Sequence, residues 1–167
     1  MKKAVWSGVI AAAVVLLGSS SAFAQQTAGA SIAVTAHVDA KAKLSLSLAT
    51  IDWPDADPDV VTVFTSAPVT VDVKARTSAG GNVTVTVLAS GDLTSGTDTI
   101  PVNTLTWTAG GSGFAANGAN DKTTAQTLGT WTNSGNHSGS QTLSLPNLWS
   151  YRTGVYTVTL NYTLTAP

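Results

Sequence analysis

The chain has 167 residues, 8 basic and 9 acidic, and every acid is Asp. With no Glu, Met only at position 1, 17 Ser and 26 Thr, it is poor in helix-forming side chains and rich in strand-forming ones. The lack of a basic run excludes the phosphate neutralisation that nucleic-acid binding needs, and the lack of Cys excludes disulfides and thiolate chemistry.

Residues 1–24 read as a secretory signal peptide. Lys2 and Lys3 precede an apolar run from Val9 to Leu17, and Ala22-Phe23-Ala24 has the small-x-small arrangement of a cleavage site. Cleavage there leaves 143 residues of net charge −3, about one domain on length alone. No later apolar run approaches the ~20 residues of a membrane-spanning helix. The mature chain is therefore expected to be exported without inserting into a membrane, passing through the periplasm to the cell surface or beyond.

Period-2 alternation then dominates. From Ala28 to Ala40 the even positions are apolar or small, among them Ile32, Val34 and Val38. Fully extended, those 13 residues span roughly 43 Å, against about 17–20 Å for a typical strand. Residues 25–38 thus stand apart as an extension or donor-like strand, with residues 39–167 as the domain. Two readings are open: the extension pairs with a neighbouring copy, or Ile32–Ala40 is the first strand of its own domain. Leu44, Leu46 and Leu48 alternate next. Val69, Val71, Val73 and Ala75 are followed by a Gly-containing turn and by Val83, Val85 and Val87, which reads as a hairpin. Further strands are expected over Thr104–Thr108, Thr127–Thr132 and Gln141–Leu145. The last runs from Tyr156 through Val158, Leu160 and Tyr162 to Leu164. Strict alternation with no helical period predicts antiparallel sheets wetted on one face. The expected fold is all-β, a single immunoglobulin-like antiparallel sandwich.

Candidate chemistry is sparse. Asp52–Asp59 holds four acids in eight residues, and Asp55, Asp57 and Asp59 have the alternate spacing of a calcium loop. The positions that would carry the loop's Gly and its bidentate Glu are Val60 and Ser66, so a solvated acidic loop is the favoured reading and no metal or other cofactor is expected. His37 falls on an outward position of the first alternating segment. His137 neighbours Ser138 in a run of turn-forming residues, and adjacent side chains seldom converge as nucleophile and base. No catalytic residue is assigned and an enzyme is not expected. Of the four tryptophans beyond the signal, Trp107 reads as core, whereas Trp53 and Trp149, beside prolines and loops, are candidates for glycan contact.

Gly154 stands fourteenth from the C-terminus and is followed by alternating Tyr156, Val158, Leu160, Tyr162 and Leu164. With the alternating N-terminal extension, this resembles fimbrial (pilin) subunits of the chaperone–usher type. Their penultimate Tyr is replaced here by Ala166. The resemblance implies an incomplete immunoglobulin-like sandwich completed by a neighbour's extension. It also implies a periplasmic chaperone in transit and a homopolymeric fibre of adhesive or structural role. Self-assembly would then involve Ile32, Val34 and Val38 as donor, with Gly154, Tyr156, Val158, Leu160 and Tyr162 on the acceptor. The same C-terminal segment also resembles the end of the WxL cell-surface domain, with Tyr162-Thr163-Leu164 at the place of its Trp-x-Leu motif. That resemblance implies a cell-surface or glycan-binding module.

Overall fold

The computed structural model describes residues 29–167, so the signal-peptide reading and residues 25–28 lie outside the described part. Eleven strands follow one another: β1 (Lys41–Leu46), β2 (Val63–Thr65), β3 (Val69–Arg76), β4 (Asn82–Ala89), β5 (Leu93–Ser95), β6 (Asp98–Ile100), β7 (Thr106–Gly110), β8 (Asn117–Ala119), β9 (Gln126–Thr132), β10 (Gly135–Pro146) and β11 (Leu160–Thr165). A single 3-10 turn, Val102–Thr104, is the helical element among the described residues. All strand pairs are antiparallel. One sheet has the order β1-β3-β10-β7-β8, with β2 also on β10; the second has the order β11-β4-β9; β5 and β6 form a separate hairpin.

The two larger sheets bury their facing sides in one core. Val71, Val73, Trp107, Leu143 and Leu145 come from the first sheet, and Val83, Val85, Val87, Leu128 and Trp131 from the second. The alternating valines of β3 and β4 are fully buried while their Thr, Asp and Lys neighbours remain at least partly accessible. Burial of each such side chain contributes about 1.5–3 kcal/mol. The fold is thus the all-β antiparallel sandwich expected from the alternation.

Several elements differ from expectation in ways that have physical causes. The Val69–Ala75 and Val83–Val87 segments are not a hairpin: they enter opposite sheets, and their valines meet across the core. The connecting turn is instead tied to the β9–β10 connection, where Asn133 has φ 71° and its Oδ1 accepts the Gly80 N–H at 2.7 Å. The Gly- and Ser-rich stretch before Gln141 is not a loop but the first half of β10. Its inward positions are Gly135, His137 and Gly139, and the space a larger side chain would need is already filled. A Cβ on Gly139 would collide with the Phe114 ring, and Trp131 stacks on His137 with ring centroids 4.6 Å apart. Residues 29–40 carry the longest alternation yet form no strand.

β2 and β3 lie along the same edge of β10 and are separated by Ser66-Ala67-Pro68. Between Thr65↔Ser144 and Val69↔Gln141 the β2–β3 side advances four residues and β10 three, which makes a bulge. Pro68 has no N–H to donate to a ladder. Ser66 repairs the gap, since its N–H donates to Leu143 O at 2.9 Å and its Oγ accepts the Leu143 N–H at 3.0 Å. Both Ser66 and Leu143 are buried. We expect Ser66→Ala to strand that amide and lower stability by about 1–3 kcal/mol. Urea denaturation checks this, and an unchanged midpoint would show that the amide finds another acceptor.

Candidate functional site

The core is fully buried in the middle of the sandwich and only partly buried along the side where β1 of one sheet approaches β11 of the other. β1 terminates the first sheet and β11 the second, so among the described residues each has one edge without a hydrogen-bonded strand neighbour. Val71, Val73, Val83, Val85, Val87 and Leu128 are 0% exposed, but Leu44 and all three inward residues of β11, Leu160, Tyr162 and Leu164, are only partly buried. Leu46 and Leu48 remain 36% and 39% exposed. Edge strands normally have such accessibility on their outer faces; here it falls on the apolar, core-facing row.

The C-terminal segment supplies most of that side. Tyr156 and Val158 precede the strand proper. The Thr157 and Thr94 main chains exchange N–H···O bonds of 3.1 Å, and Ser90 N–H donates to Thr159 O at 2.8 Å. From Leu160 onward the segment pairs with β4. The strand therefore starts at Leu160 rather than Tyr156, although Tyr156, Val158, Leu160, Tyr162 and Leu164 do pack in one row against the core. Gly154 sits against the β5–β6 hairpin, where a Cβ would collide with Ser95 Oγ.

Within this row Tyr162 joins the two sheets. Its hydroxyl donates to Gln141 Oε1 at 2.6 Å, and Gln141 is fully buried on β10. Burial pushes the Tyr162 phenol up to about 12. Gln141 Nε2 has no partner among the described residues.

Other sequence candidates are dispersed. Ile32, Val34 and Val38 are 89%, 87% and 67% exposed. Asp55, Asp57 and Asp59 do not converge, and among the described residues no group of three His, Cys or carboxylate side chains is disposed to hold a metal. Asp57 Oδ1 instead accepts the Asp59 N–H at 2.9 Å. The tryptophans divide. Trp53 stacks on Phe64 at 6.0 Å within the core margin, whereas Trp149 is 71% exposed, with its indole N–H donated to Asp59 Oδ1 at 3.0 Å. His37 is exposed, and His137 faces inward against Trp131, away from Ser138 on the outer face. No helix among the described residues is long and apolar enough to cross a membrane.

No family model matches the chain, and no curated protein matches it in sequence.

Because the raised phenol favours the protonated form, Tyr162 stabilises the fold fully below pH 10, its ordinary range. That contribution, about 2–3 kcal/mol, is lost as pH rises from 10 through 12. Ultraviolet titration should show a late tyrosine step at about 12, where Tyr162 ionises. Tyr162→Phe should remove that late step; its persistence in the variant would assign it elsewhere.

Proposed function

We propose that the protein is a non-enzymatic, exported structural subunit of a surface fibre or fimbria, assembling by strand addition. One observation carries the reading: among the described residues an alternating segment exposes its apolar positions, while the inward apolar rows of the edge strands β1 and β11 are only partly buried. Ile32, Val34 and Val38 lie exposed in a stretch without secondary structure, and β1 and β11 carry partly buried apolar rows on edges that pair with no strand among the described residues. Residues Ile32–Ala40 do not serve as the first strand of their own sheet, which begins at Lys41.

The energetics favour completion by a second copy. Burial of three such side chains is worth roughly 5–9 kcal/mol, comparable to the whole stability of many domains. An added strand, entering where β1 and β11 approach each other and parting them, would also satisfy their edge N–H and C=O groups. Gly154, Tyr156, Val158, Leu160 and Tyr162 would line the acceptor, and Ile32, Val34 and Val38 would enter it. The contact is head-to-tail and does not close on itself, so it builds a fibre. A chain with so exposed an edge needs protection before assembly, a role suited to a periplasmic chaperone.

Deleting Gln25–Val34 should abolish polymer while leaving a folded monomer by circular dichroism. Ile32→Asp with Val34→Asp should do the same by preventing burial of the row. A purified full-length protein that remains a protease-resistant monomer at high concentration would sink the strand-addition reading.

A further inference from the structure

We infer that the outer face of β1 and β3 docks the opposite end of a second copy of this chain, through Lys41, Lys43, Lys74 and Arg76. Alternation turns Leu44, Val71 and Val73 toward the core, which places these four cations together on the outer face. Register sets Lys41 opposite Arg76 and Lys43 opposite Lys74. Like charges directly opposite each other destabilise a sheet, so the arrangement carries a local cost that folding does not require. All four are exposed, and among the described residues none lies within ion-pair distance of a carboxylate. The other two cations of the described residues are paired: Lys122 with Asp92 at 2.6 Å and Arg152 with Asp98 at 3.5 Å. Asp72, opposite Ser45 and Ser138, is the one acid within the face, and Asp39 precedes β1.

Antiparallel pairing puts the complementary charge at the far end. β1 begins at Lys41, beside the end of β3 at Arg76 and close to the start of β10, where Gly135 pairs with Ala75. β10 ends at Pro146 beside Val63, so the loop leaving β1 and the loop leaving β10 meet at the other end. Those loops hold exposed Asp52, Asp55, Asp57 and Asp59 and exposed Trp149. They are braced together: Asn147 Nδ2 donates to Ala56 O and Val61 O, both at 2.9 Å, and the Trp149 indole N–H to Asp59 Oδ1. With its N–H engaged, the Trp149 ring presents a bare π-face beside carboxylates, an arrangement that suits Lys or Arg. The complementary charge commits the occupant to a second copy, meeting basic face to acidic end.

This contact extends the fibre reading above by specifying which end meets which, and it uses none of residues 25–38. Its test is sedimentation velocity of the purified full chain between about 20 and about 500 mM NaCl, over which the Debye length falls from roughly 20 Å to about 4 Å. Association at low salt should weaken at least about tenfold at high salt. Lys41→Asp with Lys43→Asp and Lys74→Asp makes both ends acidic, and Asp52→Lys with Asp55→Lys and Asp57→Lys makes both basic. Each protein alone should lose low-salt association, and an equimolar mixture should regain it. Lys43→Thr with Lys74→Thr, which relieves the like-charge pair, should raise Tm yet weaken association, separating docking from misfolding. The Gln25–Val34 deletion should keep the salt-sensitive contact even where it loses the fibre. Charge-reversed proteins that assemble as the parent does, or a mixture that stays dissociated, would overturn the inference while leaving strand addition standing. Trp149-dependent binding to a neutral glycan with no effect of Trp149→Ala on association would overturn it as well.

Discussion

Strand β10 is the constraint on which the rest of the sandwich depends. Its twelve residues pair with β3 and then β2 along one edge and with β7 along the other. Its inward row changes character along its length, from Gly135, His137 and Gly139 through Gln141 to Leu143 and Leu145. Gly139 admits the Phe114 ring, His137 stacks on Trp131, Gln141 receives the Tyr162 hydroxyl from the opposite sheet, and the leucines complete the aliphatic core. A strand with leucine throughout would overpack one end, and one with glycine throughout would leave the other hollow; either departure from close packing costs kilocalories.

The two margins of the sandwich follow from that arrangement. On one, Phe114 bridges to Gly129 and the Trp131 indole donates to Ser112 O at 2.7 Å, so the glycine-rich loop closes over the core. On the other, β1 and β11 approach each other directly, and among the described residues their inward rows are only partly buried. The asymmetry is what makes the second margin the candidate for assembly. Ordinary edge strands are blunted by charge or proline on their core-facing row, and neither occurs at Leu44, Leu160, Tyr162 or Leu164.

Charge follows a separate logic. The outer face of the larger sheet is mostly Ser, Thr and Asn, and its few charges are segregated rather than interspersed. Interspersed signs would neutralise one another within a subunit, whereas segregated ones leave a dipole along the strands that acts between molecules. Strand addition would supply affinity through buried area, and the dipole would supply orientation.

Period-2 alternation made the fold class legible from the amino-acid order alone, because a strand with one buried face must alternate wherever it sits. The same pattern is silent on partner choice. Val69–Ala75 and Val83–Val87 alternate identically whether they pair as a hairpin or face each other across a core, and the structure takes the second arrangement. Gly135–Ser140 reads as a loop by composition, yet it is a strand because rings from elsewhere occupy the volume its side chains lack. Trp53 and Trp149 have similar neighbours in sequence, and only packing on Phe64 separates the buried ring from the exposed one. Of the assembly row, Tyr156–Leu164 was legible from alternation, as was the extension containing Ile32, Val34 and Val38. The gathering of Lys41, Lys43, Lys74 and Arg76 was not, since register brings together residues more than thirty positions apart. Local periodicity is a property of neighbouring residues and is written in their order, whereas register, sheet choice and ring packing are decided by contacts between distant segments, which only the tertiary structure brings together.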